Sequence, residues 1–245
     1  RGTGRSAELK ASGLLFRKAR IKTGAFGRGW YRDSANFIDD TEIEVQRRRT
    51  AGWEVGATHR HFLGIATLDA NAAYRRGTGA FAALHAPEEA FGEGTARSAL
   101  VTADAQLAVP FQLGTQGLRY SASWRAQWNR TALVPQDRFA IGGRHSVRGF
   151  DGESSLVGER GWTVRNDLGL SLGGGQELYL GADIGQVGGP STRWQVGNAL
   201  AGGVIGLRGG ARGATWDLFV GKPIDKPEGF RTAYTTTGFS LSWSL

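Results

Sequence analysis

The sequence predicts an all-β protein, a transmembrane antiparallel β-barrel, and three observations carry that prediction. Apolar and polar side chains alternate with a period of two, several times over ten residues or more. That is the length a tilted strand needs to cross a bilayer core, whereas strands of soluble domains are typically about half as long. From residue 98 onward the connections alternate short and long, at 114–116, 131–160, 173–175, 188–196, 209–211 and 222–233. Short turns on one rim and long loops on the other are the pattern of an outer-membrane barrel. Finally, no segment has a convincing helical period and no run of about 18 apolar residues exists, so any membrane crossing falls to strands.

The elements follow in order. Residues 9–22 carry a mixed signal, with Leu14, Leu15 and Phe16 in succession, and read as a strand; 23–36 reads as a long connection. Residues 41–48 alternate Ile43 and Val45 with Glu42, Glu44 and Gln46; after a short turn, 53–58 sets Trp53, Val55 and Ala57 against Glu54, Gly56 and Thr58. In 64–76, Ala66, Leu68, Ala70, Ala72 and Tyr74 oppose Thr67, Asp69, Asn71 and Arg75. Residues 98–111 continue the pattern, and 117–130 gives the cleanest line: Leu118, Tyr120, Ala122, Trp124, Ala126 and Trp128 against Arg119, Ser121, Ser123, Arg125, Gln127 and Asn129. Strands at 162–172, 178–187, 199–207, 215–220 and 237–245 bring the total to about eleven.

In a barrel the apolar faces meet lipid and the polar faces a wet lumen, with aromatics near the headgroup levels. Trp124, Trp128, Trp162, Trp216 and Trp243 fall on apolar faces, and Arg119, Arg125, Arg165, Asp167 and Asp183 on polar ones. Singly, each Trp is equally a core aromatic of a soluble β protein. The last eight residues, GFSLSWSL, form an alternating strand like the C-terminal signal of outer-membrane barrels, with Leu245 in place of the customary aromatic.

Composition narrows the function classes. The 245 residues include 39 Gly, 8 Trp, 12 Phe and 5 Tyr but no Cys and no Met. This excludes disulfides and thiol-ligated metal and fits an envelope or extracellular compartment. The chain opens on RGTGRSAELK, without an initiator or an apolar signal segment, and reads as a processed or truncated piece. Thirty basic against 22 acidic residues give a net charge of +8, mostly scattered. The runs Arg17-Lys18-Ala19-Arg20 and Arg47-Arg48-Arg49 read as solvated strand ends, and no nucleic-acid-binding motif is present.

The connection at 131–160 is the segment around which the chain is organised. A connection of about 30 residues is functional or disordered. This one contains Ile141-Gly142-Gly143 and Ser146-Val147-Arg148-Gly149-Phe150, glycines that free the backbone beside Val and Phe that want burial. It reads as a loop that folds back and packs, with Arg148 at its turn.

GGRHSVRGF on this loop, followed two strands later by LYLGADIG, resembles the two-partner secretion (TpsB) transporters of Gram-negative bacteria, of FhaC type, in the BamA-like superfamily. The match runs from about residue 98 to the end, with Val147, Arg148, Gly149 and Phe150 as its specific core. The resemblance implies the C-terminal part of a sixteen-stranded barrel with the long loop folded into the lumen. Residues 1–245 are then a partial barrel domain, lacking the N-terminal plug helix, the periplasmic POTRA domains and the first strands. It implies a monomeric pore in the bacterial outer membrane, in contact with outer-membrane lipid. That pore secretes a large β-rich exoprotein, filamentous-haemagglutinin-like, with no cofactor, metal, nucleic acid, nucleotide hydrolysis or catalytic residue.

In the family the motif arginine meets acidic side chains of the inner wall. Here that is Arg148, with Asp183 as partner, since it shares a face with Tyr179, Gly181 and Gly185, and Asp167 as a second. A guanidinium grips a carboxylate bidentately, so lysine replaces it poorly. In a partly wet pore the pair is worth about 1 kcal/mol, a positioning latch more than a stability element. The alternative is a solvated loop arginine beside a generic lumen charge.

Two rival functions remain. A BamA-like insertase shares the motif and the lumen aspartate. An outer-membrane enzyme needs a nucleophile and base: His59 and His61 share a strand face without a carboxylate at a telling spacing, and the neighbours His145 and Ser146 do not by adjacency form a dyad.

Overall fold

The computed structural model describes residues 2–39 and 41–244, the side chain of Val45 excepted. Its long strands are β1 (Gly2–Lys18), β2 (Ile21–Ile38), β4 (Arg48–Leu63), β5 (Ala66–Thr78), β6 (Ala99–Leu113), β7 (Gln116–Asn129), β10 (Arg160–Gly173), β11 (Gln176–Gly188), β12 (Ala199–Ala211), β13 (Ala214–Asp225) and β14 (Thr236–Trp243). Short strands are β3 (Thr41–Glu42), β8 (Phe139–Ile141) and β9 (Leu156–Gly158); single 3-10 turns complete the described residues. The long strands hydrogen-bond in chain order, and β8 pairs with β9 apart from them. The described residues form the all-β, antiparallel sheet expected, with its long strands paired in chain order.

The front of the chain departs from the reading. Residues 23–36 are not a connection but the body of β2, which pairs with β1 along its whole length. Its alternation is faint in the sequence because the face that carries Phe26 and Trp30, which lie over Gly56 and Gly52, also carries Arg28 and Arg32. The mixed signal at Leu14-Leu15-Phe16 is a β-bulge: Leu14 pairs with Gly24 and Phe16 with Thr23, leaving Leu15 as the extra residue. The two segments expected at 41–48 and 53–58 are instead the short β3, one 3-10 turn and the single strand β4. One strand missed and one divided left the total of long strands at the expected value.

With these corrections the connections alternate from the beginning. Turns of two residues at 19–20, 64–65, 114–115, 174–175 and 212–213 face longer connections at 39–47, 79–98, 130–159, 189–198 and 226–235. Leu245, the substituted terminal residue of the expected signal strand, lies outside the described residues.

The chain divides into two compact units. The first holds the residues up to 60 with 70–103 and 127–138; the second holds 61–69, 104–126 and those from 139 on. In the first, the arginine run is paired and half-buried, not solvated: Arg48 meets Glu88 at 2.7 Å and Arg49 meets Asp33 at 3.0 Å. Arg75 lies over the Trp30 ring at 4.6 Å. In the second, the burial pattern is inside out relative to a soluble sheet. On β11 the odd residues from Tyr179 to Val187 are buried, while Leu180 is 64% exposed on the other face. Ile205 on β12 (53%) and Trp243 on β14 (66%) are likewise exposed. Large apolar side chains thus look outward, as the strands of a membrane barrel present them.

Candidate functional site

The site is built on four strands of the second unit and the loop that packs on their inward faces. Cross-strand pairing sets Arg165 opposite Asp183 and Asp167 opposite Gly181 on β10 and β11, then Asp183 opposite Gly202 on β11 and β12. Period-two alternation therefore brings both aspartates and a row of glycines to one face.

The loop reaches this face through a tight turn. The Ser146 N–H donates to the Gly143 carbonyl at 2.9 Å, and the Ser146 hydroxyl accepts from the amides of Gly142 and Gly143 at 3.1 and 3.2 Å. Ser146 is thus occupied as a turn residue, and its neighbour His145 is exposed. His59 hydrogen-bonds Thr23 at 2.9 Å. Beyond the turn, Val147 and Phe150 enter an apolar cluster with Phe139, Ile141, Leu156, Val187, Leu200 and Phe230. The Phe150 and Phe230 rings meet edge to face with centroids 5.7 Å apart.

Arg148 is only 2% exposed and Asp183 3%. Arg148 Nε donates to Asp183 Oδ2 and Nη2 to Oδ1, both at 2.7 Å, and the Arg148 backbone N–H adds a third bond to Oδ2 at 2.9 Å. Nη2 also donates to Asp167 Oδ1 at 2.6 Å. Burial disfavours the guanidinium charge, but the hydrogen bonds to Asp183 and Asp167 outweigh it and raise the pKa above the ordinary arginine value. The expectation of a partly wet, weak pair is corrected here. Removing one member of a buried pair strands the other charge, at a cost of about 3–5 kcal/mol.

The latch also belongs to a larger set of charges. Arg208 on β12 donates to Asp167 Oδ2 at 3.0 Å and to Glu177 at 2.5 Å, and Arg119 meets Glu177 at 2.9 Å. Arg165 approaches Asp183 at 3.6 Å. Four arginines thus alternate with three carboxylates along one wall. Tyr179, 1% exposed, donates its hydroxyl to Asp217 at 2.8 Å, and the guanidiniums of Arg208 and Arg148 lie 4.6 and 5.8 Å from its ring centroid. Arg208, Glu177 and Asp217 were not singled out from sequence. Their strand parity was legible, but their proximity to Asp167 and Tyr179 depends on cross-strand register.

Neighbouring loops fasten the same segment. The Asp151 carboxylate accepts the Ala233 N–H at 2.5 Å, a bond that holds its pKa below the ordinary aspartate range. Buried Glu159 accepts the Ser191 N–H at 3.2 Å and its hydroxyl at 3.0 Å. The arrangement has the chemistry of a mechanical clamp that holds a loop in one position by charge and packing.

The chain matches the family of haemolysin secretion/activation proteins ShlB/FhaC/HecB over residues 1–209. It is 35% identical over 246 aligned positions to the outer membrane transporter CdiB-2 of Burkholderia pseudomallei (strain 1026b), covering 98% of this chain and 42% of that protein. Against the outer membrane transporter CdiB of Dickeya dadantii (strain 3937) it is 26% identical, covering 97% and 43%. The solved structure of CdiB from Acinetobacter baumannii superposes with a TM-score of 0.84 at 34% identity, over 98% of this chain and 42% of that one. BamA from Haemophilus ducreyi lacking POTRA domains 1–3 shares the fold alone, with a TM-score of 0.52 at 10% identity over 98% of this chain and 62% of that one. The chain therefore spans less than half the length of the curated relatives it matches. Its strands, its inward latch and these matches together show that the chain belongs to the ShlB/FhaC/HecB family, the TpsB transporters of two-partner secretion, and forms part of a β-barrel of the bacterial outer membrane.

Proposed function

We propose that the protein to which this chain belongs is a monomeric outer-membrane pore that secretes one large, β-rich, adhesin- or haemagglutinin-like exoprotein without nucleotide hydrolysis or catalysis. Membership of a transporter family supports export over enzymatic chemistry. The observation that carries the reading is the buried bidentate contact between Arg148 of the Val147-Arg148-Gly149-Phe150 motif and Asp183, shared with Asp167. Such a latch fixes the loop in one docked arrangement on the inner wall. The loop then sets whether an extended polypeptide has room to pass. A plug helix, POTRA domains and further strands upstream of these residues complete the reading. Outer-membrane lipid surrounds the outward face.

The test is a comparison of the culture-medium and outer-membrane proteomes of cells with and without the gene. Loss of a single large secreted protein, with other barrels intact, is expected. A broad fall in outer-membrane barrels would replace this reading with an insertase, and no change in either fraction would remove both.

A further inference from the structure

The motif turn does not rest on charge alone. Arg148 is held at both ends of its own backbone, its N–H on Asp183 and its carbonyl against Gly202, the cross-strand neighbour of Asp183. A Cβ on Gly202 would collide with that carbonyl oxygen. On β13, a Cβ on Gly221 would come within 3.0 Å of the Gly149 Cα and 3.1 Å of its nitrogen. Gly149 itself has φ +99°, and its own Cβ position is taken by the Lys222 carbonyl. Three backbone segments therefore meet closely, with the Val204 Cγ1 2.8 Å from the Gly221 Cβ position as the nearest side chain there, an approach only glycine permits.

We infer that Gly202 and Gly221 form a docking seat that sets the depth of the loop, and that they are positioning residues for the latch. The inference rests on the latch reading above. A methyl group on Gly202 displaces the Arg148 carbonyl and with it the rigid peptide plane, so the Arg148 N–H and guanidinium lose their common approach to Asp183 although every charge is retained. The adjacent Gly203 supplies the control. It faces outward, where a Cβ would meet the end of the Ile224 side chain at 3.1 Å and the Gly181 carbonyl at an ordinary 3.8 Å, and nothing of the loop.

The experiment uses the protein as produced in cells, with Val147→Cys as the probe. Val147 is fully buried, and the chain has no native cysteine. Labelling of intact cells by a membrane-impermeant maleimide should be slow in the parent and about tenfold faster with Gly202→Ala or Gly221→Ala, while Gly203→Ala stays at the parent rate. Heat-modifiable gel mobility checks that each barrel is folded; where Gly202→Ala does not assemble, Gly221→Ala, which touches the turn from β13, carries the test. Parent-rate labelling in the folded seat variants, or equal acceleration by Gly203→Ala, would overturn the seat. Accelerated labelling with undiminished secretion would leave the seat standing and overturn the latch's part in export.

Discussion

At Arg148 a planar cation is matched to one buried carboxylate, Asp183, and one half-buried, Asp167. Arg148→Ala should leave buried Asp183 with only the longer ionic contact to Arg165 at 3.6 Å and destabilise the docked loop by up to about 3–5 kcal/mol. We expect export to fall while the barrel still migrates as a folded species; unchanged secretion would end the functional assignment. Arg148→Lys should recover only part of the loss, because an ammonium point charge cannot reproduce the pair of bonds to Asp183 and the third to Asp167. Asp183→Asn should resemble Arg148→Ala, and the double variant should cost less than the two losses added together, since both remove one contact. Additive losses in secretion would show that the two residues act separately. The faces of Asp183, Asp167 and Arg208 were readable from alternation, as neighbours on a strand point to opposite sides. The place of Arg208 beside Asp167 was not, because nothing local says which residue of one strand lies beside which residue of the next.

At the scale of elements, connections fold as small structures with their own fastenings. Residues 79–98 are organised by Glu89, whose carboxylate accepts from Thr95 Oγ1 at 2.8 Å and from the amides of Ala96 and Ala86 at 3.0 and 3.3 Å, and pairs with His85 at 2.6 Å. Burial raises the Glu89 pKa, but the bonds from His85, Thr95, Ala96 and Ala86 more than reverse this and lower it from 4.5 to about 2. A carboxylate with a lowered folded pKa stabilises its loop fully above the unfolded value and loses that contribution as pH falls from about 4.5 towards 2. Hydrogen exchange at the Ala96 amide should therefore be protected at pH 7, and Glu89→Ala should remove that protection. Equal protection in the variant would show that the carboxylate does not hold the loop. None of this was visible beforehand, since residues 79–98 have no period. Strand β2 is hidden for another reason: the face with Phe26 and Trp30 also carries Arg28 and Arg32, and the opposite face mixes Gly27 and Gly29 with Tyr31 and Phe37, so neither face reads as apolar.

Over the full set of strands the decisive property is which face carries the exposed apolar side chains. Leu180→Arg places a charge on the outward face and should cost about 2–4 kcal/mol if that position lies near the bilayer midplane. Ser121→Arg, in the inward polar hollow lined by Thr67, Asp69, Gln106, Ser123 and Arg165, should be tolerated. The amount of folded barrel in outer membranes measures both; equal yields would overturn the face assignment. The all-β class, the outward and inward faces of most strands, the alternation of short and long connections and the motif on the long loop can all be read along the chain. These are local properties, set by a period of two and by the spacing of turns. The bulge at Leu15, the undivided β4, the burial of the latch, the run of alternating charges and the glycines beneath the turn came from the fold. Each depends on cross-strand register or on how closely two backbones approach. Those quantities are fixed by the packing of residues far apart in the chain, not by the pattern along it.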